Sequence, residues 1–145
     1  MSGHTVQSFM TVGAAVITRE RTLAEAHQLM RERGIRHLPV VDGGRLVGLV
    51  SQRDLYLLET LKGVDPVTER VEEAMTREPF TVPPDARLED VAAAMAEHKY
   101  GSAVVVDRGA VIGLFTTVDA LRALARLLRR TRAPRSTGAP DPTPR

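Results

Sequence analysis

The most constraining feature of this chain is a repeat that aligns its two halves without a gap. Shifting the 145-residue sequence by 65 positions places Met10-Thr11 on Met75-Thr76 and Asp54 on Asp119. Further pairs at the same offset are Leu23 with Leu88, Met30 with Met95, Val40-Val41-Asp42 with Val105-Val106-Asp107, and Gly48-Leu49 with Gly113-Leu114. Two copies of so long a period do not make a solenoid, so the pattern predicts one duplicated supersecondary unit with a pseudo-two-fold axis.

Each copy has the pattern strand, helix, strand, strand, helix. In the first copy, Thr22 and Glu25 form a capping-box signature ahead of apolar residues at helical spacing, and Gly34 predicts the end of that helix. Two short apolar strands follow on either side of the tight turn Asp42-Gly43-Gly44. In the second copy Arg87 stands where Thr22 caps the first, so the capping box is not reproduced.

The repeat also predicts the domain organisation. One copy alone is too small to close a core, whereas two copies packed through their sheets bury both layers, so we expect an α/β (α+β) fold of two β-α-β-β-α repeats. The predicted strands are 15–18, 38–41, 46–50, 103–106 and 111–115, and the second helix of each copy is predicted over 52–61 and 118–130. The predicted boundaries are 8–61 for the first repeat, 62–73 for the link, 74–130 for the second repeat and 131–145 for a disordered Arg/Pro-rich tail.

Composition narrows the class of protein. The chain has no cysteine, which excludes disulfides, Cys-type zinc sites and a thiol nucleophile and fits a reducing cytoplasm. No apolar stretch reaches the roughly 20 residues that span a bilayer. Residues 126–145 hold six Arg and one Asp, so the basic character of the chain lies at its end. A nucleic-acid-associated role through this tail is one alternative, and cutting the chain at Leu128 should then abolish DNA or RNA binding.

The repeated motif resembles the signature of the CBS (cystathionine β-synthase) domain family. In the first copy it begins Gly34-Ile35-Arg36-His37-Leu38-Pro39-Val40-Val41-Asp42 and continues, after Gly43, as Gly44-Arg45-Leu46-Val47-Gly48-Leu49-Val50-Ser51-Gln52-Arg53-Asp54. The second copy has Tyr100-Gly101-Ser102-Ala103-Val104-Val105-Val106-Asp107 and Gly113-Leu114-Phe115-Thr116-Thr117-Val118-Asp119, with Val104 in place of the family's Pro. The resemblance implies a tandem pair of CBS domains that binds an adenine nucleotide (AMP, ADP or ATP) as a regulatory ligand, forms a homodimer and requires no cofactor.

The resemblance also implies two clefts, each with an Asp from one copy and a base-contacting strand from the other. Ser51-x-x-Asp54 and Thr116-x-x-Asp119 stand at strand-to-helix junctions, where free N–H groups favour anions and a carboxylate could accept hydrogen bonds from ribose hydroxyls. The same residue types are ordinary helix caps, so the motif alone does not establish a ligand. One cleft would join Thr116, Thr117, Val118 and Asp119 to Ala15, Val16, Ile35, Arg36 and His37. The other would join Ser51, Arg53 and Asp54 to Phe80, Thr81, Tyr100, Gly101 and Ser102.

The two clefts are not expected to be equivalent. Arg36 and His37 stand where basic residues of nucleotide-binding relatives contact phosphates, and Gly101-Ser102 replaces them in the second copy. We therefore expect the Thr116/Asp119 cleft to favour a phosphorylated ligand. In the Ser51/Asp54 cleft only Arg53 offers a cation, so we expect that cleft to be weaker, empty or occupied by a nucleoside-like group.

No pattern in the sequence indicates catalysis or a metal site. The four His have no metal-ligand spacing, the paired Met residues are predicted core side chains, and neither a P-loop nor a catalytic triad is present. The alternative within the same family is a dimerisation or interaction module whose clefts bind S-adenosylmethionine or no ligand.

Overall fold

A computed structural model describes residues 3–132, and its elements follow the predicted order. A short strand comes first, and the two repeats then follow as β-α-β-β-α units, which confirms the predicted fold class. The bounds are β1 Thr11–Val12, β2 Ile17–Thr18, α1 Leu23–Arg33, β3 His37–Asp42, β4 Arg45–Ser51, α2 Gln52–Glu59, β5 Thr81–Val82, α3 Leu88–His98, β6 Ser102–Asp107, β7 Ala110–Thr116 and α4 Thr117–Thr131.

Local sequence signals account for most of these bounds. The capping box of Thr22 and Glu25 is present, and Gly34 ends α1 in the left-handed region at φ 64°. Arg87 makes no side-chain cap at the start of α3, as predicted. The second helix of the first repeat is two residues shorter than predicted, because the Thr60 hydroxyl donates to the Leu57 carbonyl at 2.6 Å and the helix does not continue.

Other predicted bounds change slightly. The predicted strand 15–18 is reduced to Ile17–Thr18, because only these residues pair with β3. The tail predicted at 131–145 lies outside the described residues, except for Thr131, which is the last residue of α4, and Arg132. No helix within residues 3–132 is long and apolar enough to cross a membrane.

The two sheets exchange chain segments across the pseudo-two-fold axis. One sheet has the order β2-β3-β4 and the other β1-β7-β6-β5, so the first strand of the chain joins the second repeat. The equivalent contact, between the segment before the second repeat and the sheet of the first, is an isolated bridge between Leu49 and Thr76. In the same way, Val6 is buried in the core of the second repeat, whereas Val71 and Met75 are buried in the core of the first.

Two glycines make these crossings possible. At Gly113 an added Cβ would lie 2.9 Å from the Thr11 carbonyl oxygen, and at Gly48 it would lie 2.9 Å from the Thr76 carbonyl oxygen. Because each glycine has no side chain, the segment that precedes the other repeat can pack directly against its backbone. The segment before each repeat thus contributes to the core of the other repeat. The domain boundaries given above stay predictions.

Candidate functional site

Asp119 is fixed at the start of α4 by the junction predicted from the repeat. Its Oδ2 accepts from the Thr116 backbone N–H at 2.9 Å, and its own N–H donates to the Thr116 hydroxyl at 3.2 Å. The pair therefore forms a capping box. Asp119 is buried, with 5% of the residue's surface exposed, so any further partner must reach its carboxylate from the adjoining cavity.

A residue from the other end of the chain also contacts this carboxylate. The Thr11 hydroxyl donates to both oxygens of Asp119 at 3.2 Å, and Arg122 lies 3.9 Å from Oδ1. Both distances from Thr11 are long for hydrogen bonds from a hydroxyl group, because one donor is shared between two acceptors. Thr11 thus connects the first strand of the chain to the carboxylate predicted to bind ribose.

Asp119 borders a cavity of about 680 Å³ between the two repeats. We call it the Asp119 cavity. Its lining includes eight of the nine residues predicted for this cleft, which are Ala15, Ile35, Arg36, His37, Thr116, Thr117, Val118 and Asp119. Val16 is not part of the lining. The sequence analysis missed the segment Thr11–Ala14 and two further Arg residues, Arg33 and Arg122.

The spacing of Arg122 and the glycine at position 13 are the sequence features that could have indicated these missed residues. Arg122 follows Asp119 by one helical turn, which places both side chains on the same side of α4. Gly13 has φ 67°, and the chain turns there between the two sheets, which makes 11–15 a wall of the cavity. Residues 11–14 were assigned no role from the sequence, because they lie before the predicted strand 15–18 and outside the repeated motif.

The basic residues Arg36 and His37 stand where β3 begins. The Arg36 carbonyl accepts from the Gln52 N–H at 2.9 Å, which ties this position to the start of α2. His37 pairs with Ser51 across β3 and β4, and an added Cβ on Gly101 would lie 2.9 Å from its Nε2. A side chain at position 101 would therefore collide with the imidazole of His37, and glycine avoids this collision.

The surroundings of His37 favour its neutral form. Burial lowers the pKa of His37 below its ordinary value of 6.5, and the neighbouring Arg36 lowers that pKa further, while Asp54 partly opposes both effects by raising it. An anion that binds beside the imidazole would raise the pKa again. The group is thus placed to take up a proton together with an anionic ligand.

A second cavity, of about 590 Å³, lies beside Ser51. We call it the Ser51 cavity. Of the residues predicted for this cleft it is lined by Ser51, Arg53 and Gly101, but not by Asp54, Phe80, Thr81, Tyr100 or Ser102. The expectation that Arg53 is its only cation is wrong, because Lys99 and Arg36 also line it. The remaining lining residues are His37, Gln52, Tyr56, Leu57 and Thr60.

Three of the residues missing from this lining, Asp54, Phe80 and Tyr100, make contacts of their own. Asp54 caps α2 by accepting from the Ser51 N–H at 2.9 Å. The rings of Phe80 and Tyr100 stack at 5.0 Å between centroids, with 28° between their planes. Ser102 is buried, and its hydroxyl has no hydrogen-bond partner among the described residues. The repeat positions of Phe80 and Tyr100 are those of Ala15 and Ile35, so two stacked rings stand where the Asp119 cavity has smaller aliphatic side chains.

Comparison with known proteins decides the family. The family model described as CBS domain matches residues 6–58 and 71–126. The chain is a pair of CBS domains. This CBS pair is 32% identical to the CBS domain-containing protein YhcV of Bacillus subtilis, over 79% of this chain and 81% of YhcV. It is 36% identical to an inosine-5'-monophosphate dehydrogenase of Korarchaeum cryptofilum over 78% of this chain, but it spans only 23% of that enzyme.

Solved structures share the fold of this CBS pair. CBSX2, a CBS-pair protein from Arabidopsis thaliana, has been solved in complex with AMP; the TM-score is 0.75 at 32% identity, with 88% of this chain and 100% of CBSX2 covered. The CBS domain pair of protein MJ0100, in complex with 5'-methylthioadenosine and S-adenosyl-L-methionine, gives a TM-score of 0.78 at 25% identity, with 86% and 98% covered.

Proposed function

We propose that this CBS pair is a regulatory sensor that binds an adenine nucleotide in the Asp119 cavity and catalyses no reaction. The observation that carries the proposal is the meeting of a buried carboxylate, four basic side chains and an apolar wall in one cavity. Asp119 would accept hydrogen bonds from the ribose hydroxyls, and Arg36 and His37 would contact the phosphate. Ala15, Ile35 and Val118 would contact the base.

The likeness to a CBS pair that binds AMP supports adenine over other bases. The asymmetry of the two cavities supports one nucleoside per chain, because Phe80 and Tyr100 occupy the corresponding space in the other cleft. A regulatory ligand acts only if it binds two states of the protein with different affinity. The signal would pass to a partner protein in the cytoplasm, the compartment that a cysteine-free chain fits.

Replacing Arg36 with alanine should lower the affinity for AMP about 10- to 100-fold, because charge-assisted hydrogen bonds to the phosphate are lost. Adenosine, which has no phosphate, should bind equally well to both proteins. Calorimetric titration measures both affinities, and Arg45→Ala, an exposed arginine outside both cavities, is the matched control for lost charge. Equal AMP affinity in the wild type and Arg36→Ala would place the phosphate elsewhere.

Because of His37, we expect AMP to bind more tightly as the pH falls from about 8 towards 6.5. Because burial lowers its pKa, His37 is neutral in the free protein at pH 7, and the bound phosphate draws a proton onto it. The same shift means that the unfolded chain binds this proton more tightly, so the folded state loses stability as the pH falls below 6.5. The tighter binding of AMP and the lower stability of the ligand-free protein at low pH thus both follow from the lowered pKa of His37.

The control for this pH dependence is His37→Ser, which installs the residue found at the repeat position 102. The phosphate of AMP also titrates, near pH 6, but it does so equally with both proteins. Titrations from pH 6.5 to 8 should therefore show a steeper rise in AMP affinity for the wild type. Parallel curves for the two proteins would remove His37 from the site.

S-adenosylmethionine is the second candidate ligand, since the CBS pair of MJ0100 is bound to it and to 5'-methylthioadenosine. This ligand has no phosphate and is cationic at sulfur. Its methionyl carboxylate is itself a partner for Arg36. The discriminating probe is therefore 5'-methylthioadenosine, which has neither phosphate nor carboxylate: its affinity should not fall in Arg36→Ala, whereas the affinity for AMP should. The absence of binding for both ligand types would favour an interaction module without a small-molecule ligand.

We also propose that the chain forms a homodimer. Leu121, Leu124 and Leu128 form an exposed apolar stripe on α4, and Tyr56 and Leu57 are exposed on α2. Side chains of this kind are typical of interfaces, and the two helices hold equivalent positions in the two repeats. Sedimentation of the full chain should give twice the monomer mass, and Leu121→Glu should reduce it to the monomer mass.

A further inference from the structure

The two carboxylate oxygens of Asp119 differ in the hydrogen bonds that they already accept. Oδ2 accepts from the backbone N–H of Thr116 at 2.9 Å and from its hydroxyl at 3.2 Å, which occupies both lone pairs of this oxygen. Within residues 3–132 the only hydrogen-bond donor to Oδ1 is the Thr11 hydroxyl, at 3.2 Å. Arg122 lies 3.9 Å from Oδ1, which is too long for a hydrogen bond. A ligand hydroxyl in the Asp119 cavity would therefore meet Thr11 at Oδ1.

The equivalent contact is missing from the other half of the described chain. Thr76 is the repeat counterpart of Thr11, and Asp54 is that of Asp119. Asp54 accepts from the Ser51 N–H, but within residues 3–132 its carboxylate has no hydrogen bond from Thr76. Thr11 also belongs to a two-residue strand that pairs with β7, whereas Thr76 makes an isolated bridge. The contact between Thr11 and Asp119 is thus specific to one cleft and does not follow from the repeated motif.

A ligand with one hydroxyl and a ligand with two adjacent hydroxyls make different demands on this carboxylate. One hydroxyl can use the second lone pair of Oδ1 while Thr11 keeps its contact. Two adjacent hydroxyls, as in ribose, need a second acceptor site, and Thr11 occupies that site in the free protein. The ribose must therefore displace the Thr11 hydroxyl, and the lost contact offsets part of the free energy that the ribose gains.

We propose that Thr11 determines how strongly the Asp119 cavity selects ribose over deoxyribose. The inference rests on the proposed nucleotide function and concerns the sugar, not the base or the phosphate. In the free protein the Thr11 hydroxyl is a partner of the buried carboxylate and stabilises the ligand-free state. A ribonucleotide ends the contact with Oδ1, whereas a 2'-deoxynucleotide leaves it in place. Thr11 therefore lowers the affinity for AMP and narrows the difference in affinity between AMP and 2'-deoxy-AMP.

The test is Thr11→Val, which removes the hydroxyl and keeps a β-branched side chain that suits a strand. The affinity for AMP should rise about 3- to 10-fold, whereas the affinity for 2'-deoxy-AMP should stay within about 2-fold of the wild type. Thr11→Ser retains the hydroxyl and should restore the wild-type affinities. Thr76→Val is the matched control, because Thr76 lines neither cavity and should leave both affinities unchanged. Calorimetric titration of the full chain measures each affinity.

Thermal unfolding without nucleotide tests the contact between Thr11 and Asp119 by itself. Thr11→Val should lower the melting temperature by roughly 2–4 °C, and it should have almost no effect in a protein that already carries Asp119→Ala. The same loss of melting temperature in both backgrounds would overturn the proposal.

The titrations separate this inference from the nucleotide function on which it rests. A lower affinity for AMP in Thr11→Val would overturn the proposal, because Thr11 would then help to hold the nucleotide. Equal gains for AMP and 2'-deoxy-AMP, or an unchanged affinity for AMP, would also overturn the role of Thr11 and leave the nucleotide function standing. If AMP binds neither the wild type nor the variant, the proposed nucleotide function fails and this role of Thr11 fails with it.

Discussion

Replacing Asp119 with alanine is expected to lower the affinity for AMP on the order of 100-fold, because two hydroxyl hydrogen bonds to a buried carboxylate are lost. The substitution also removes the cap of α4, at a cost of about 1 kcal/mol in the free energy of unfolding. It leaves the Thr11 hydroxyl without its acceptor, which adds to that cost. Calorimetric titration gives the affinity, and denaturant unfolding gives the stability.

The repeat supplies the matched control for this variant. Asp54 makes the same capping box with Ser51 at the start of α2, but it does not line the Ser51 cavity or the Asp119 cavity. Asp54→Ala should therefore lower the stability by a similar amount, and at pH 8, where the charge of Asp54 has little effect on the neutral His37, it should leave the AMP affinity nearly unchanged. Equal losses of AMP affinity in the two variants would mean that the carboxylates act only as helix caps.

Replacing Gly113 with alanine is expected to lower the free energy of unfolding by about 1–3 kcal/mol and the melting temperature by roughly 3–10 °C. The added methyl group would lie 2.9 Å from the Thr11 carbonyl oxygen, and Met10 lies against the same position. The first strand must then move away from β7. Because this strand continues into the wall of the Asp119 cavity, AMP affinity should fall as well.

The equivalent substitution in the other repeat separates stability from binding. Gly48→Ala places a methyl group 2.9 Å from the Thr76 carbonyl oxygen, so a similar loss of stability is expected. Thr76 does not line the Asp119 cavity, and AMP affinity should therefore be retained. Thermal unfolding and AMP titration of both variants provide the comparison. A neutral Gly113→Ala would contradict the close approach of the first strand to β7.

The fold was predictable because its signals are local and occur twice. Thr22 with Glu25, and Gly34 after the helix, define α1 from a few adjacent residues. The constant offset then transfers the element order to the second repeat. The pairing of Thr11 with Leu114 was not predictable in this way, because nothing near either residue encodes a contact across the whole chain.

The Asp119 cavity was largely predictable from the family motif, whereas the Ser51 cavity was not. Ser51-x-x-Asp54 and Thr116-x-x-Asp119 have the same spacing, yet only the second carboxylate borders its cavity. The surrounding side chains differ as well, because the stacked rings of Phe80 and Tyr100 stand at the repeat positions of Ala15 and Ile35. Lys99, which lines the Ser51 cavity, was missed because the motif of the second copy begins one residue later, at Tyr100.

The most direct measurement is a crystal structure of the full chain grown with AMP. The nucleotide should occupy the Asp119 cavity, with its ribose hydroxyls on the Asp119 carboxylate and its phosphate beside Arg36 and His37. The Thr11 hydroxyl should then retain at most one of its two contacts with Asp119. A nucleotide whose base lies in the Ser51 cavity, or an Asp119 cavity that remains empty at saturating AMP, would contradict this account.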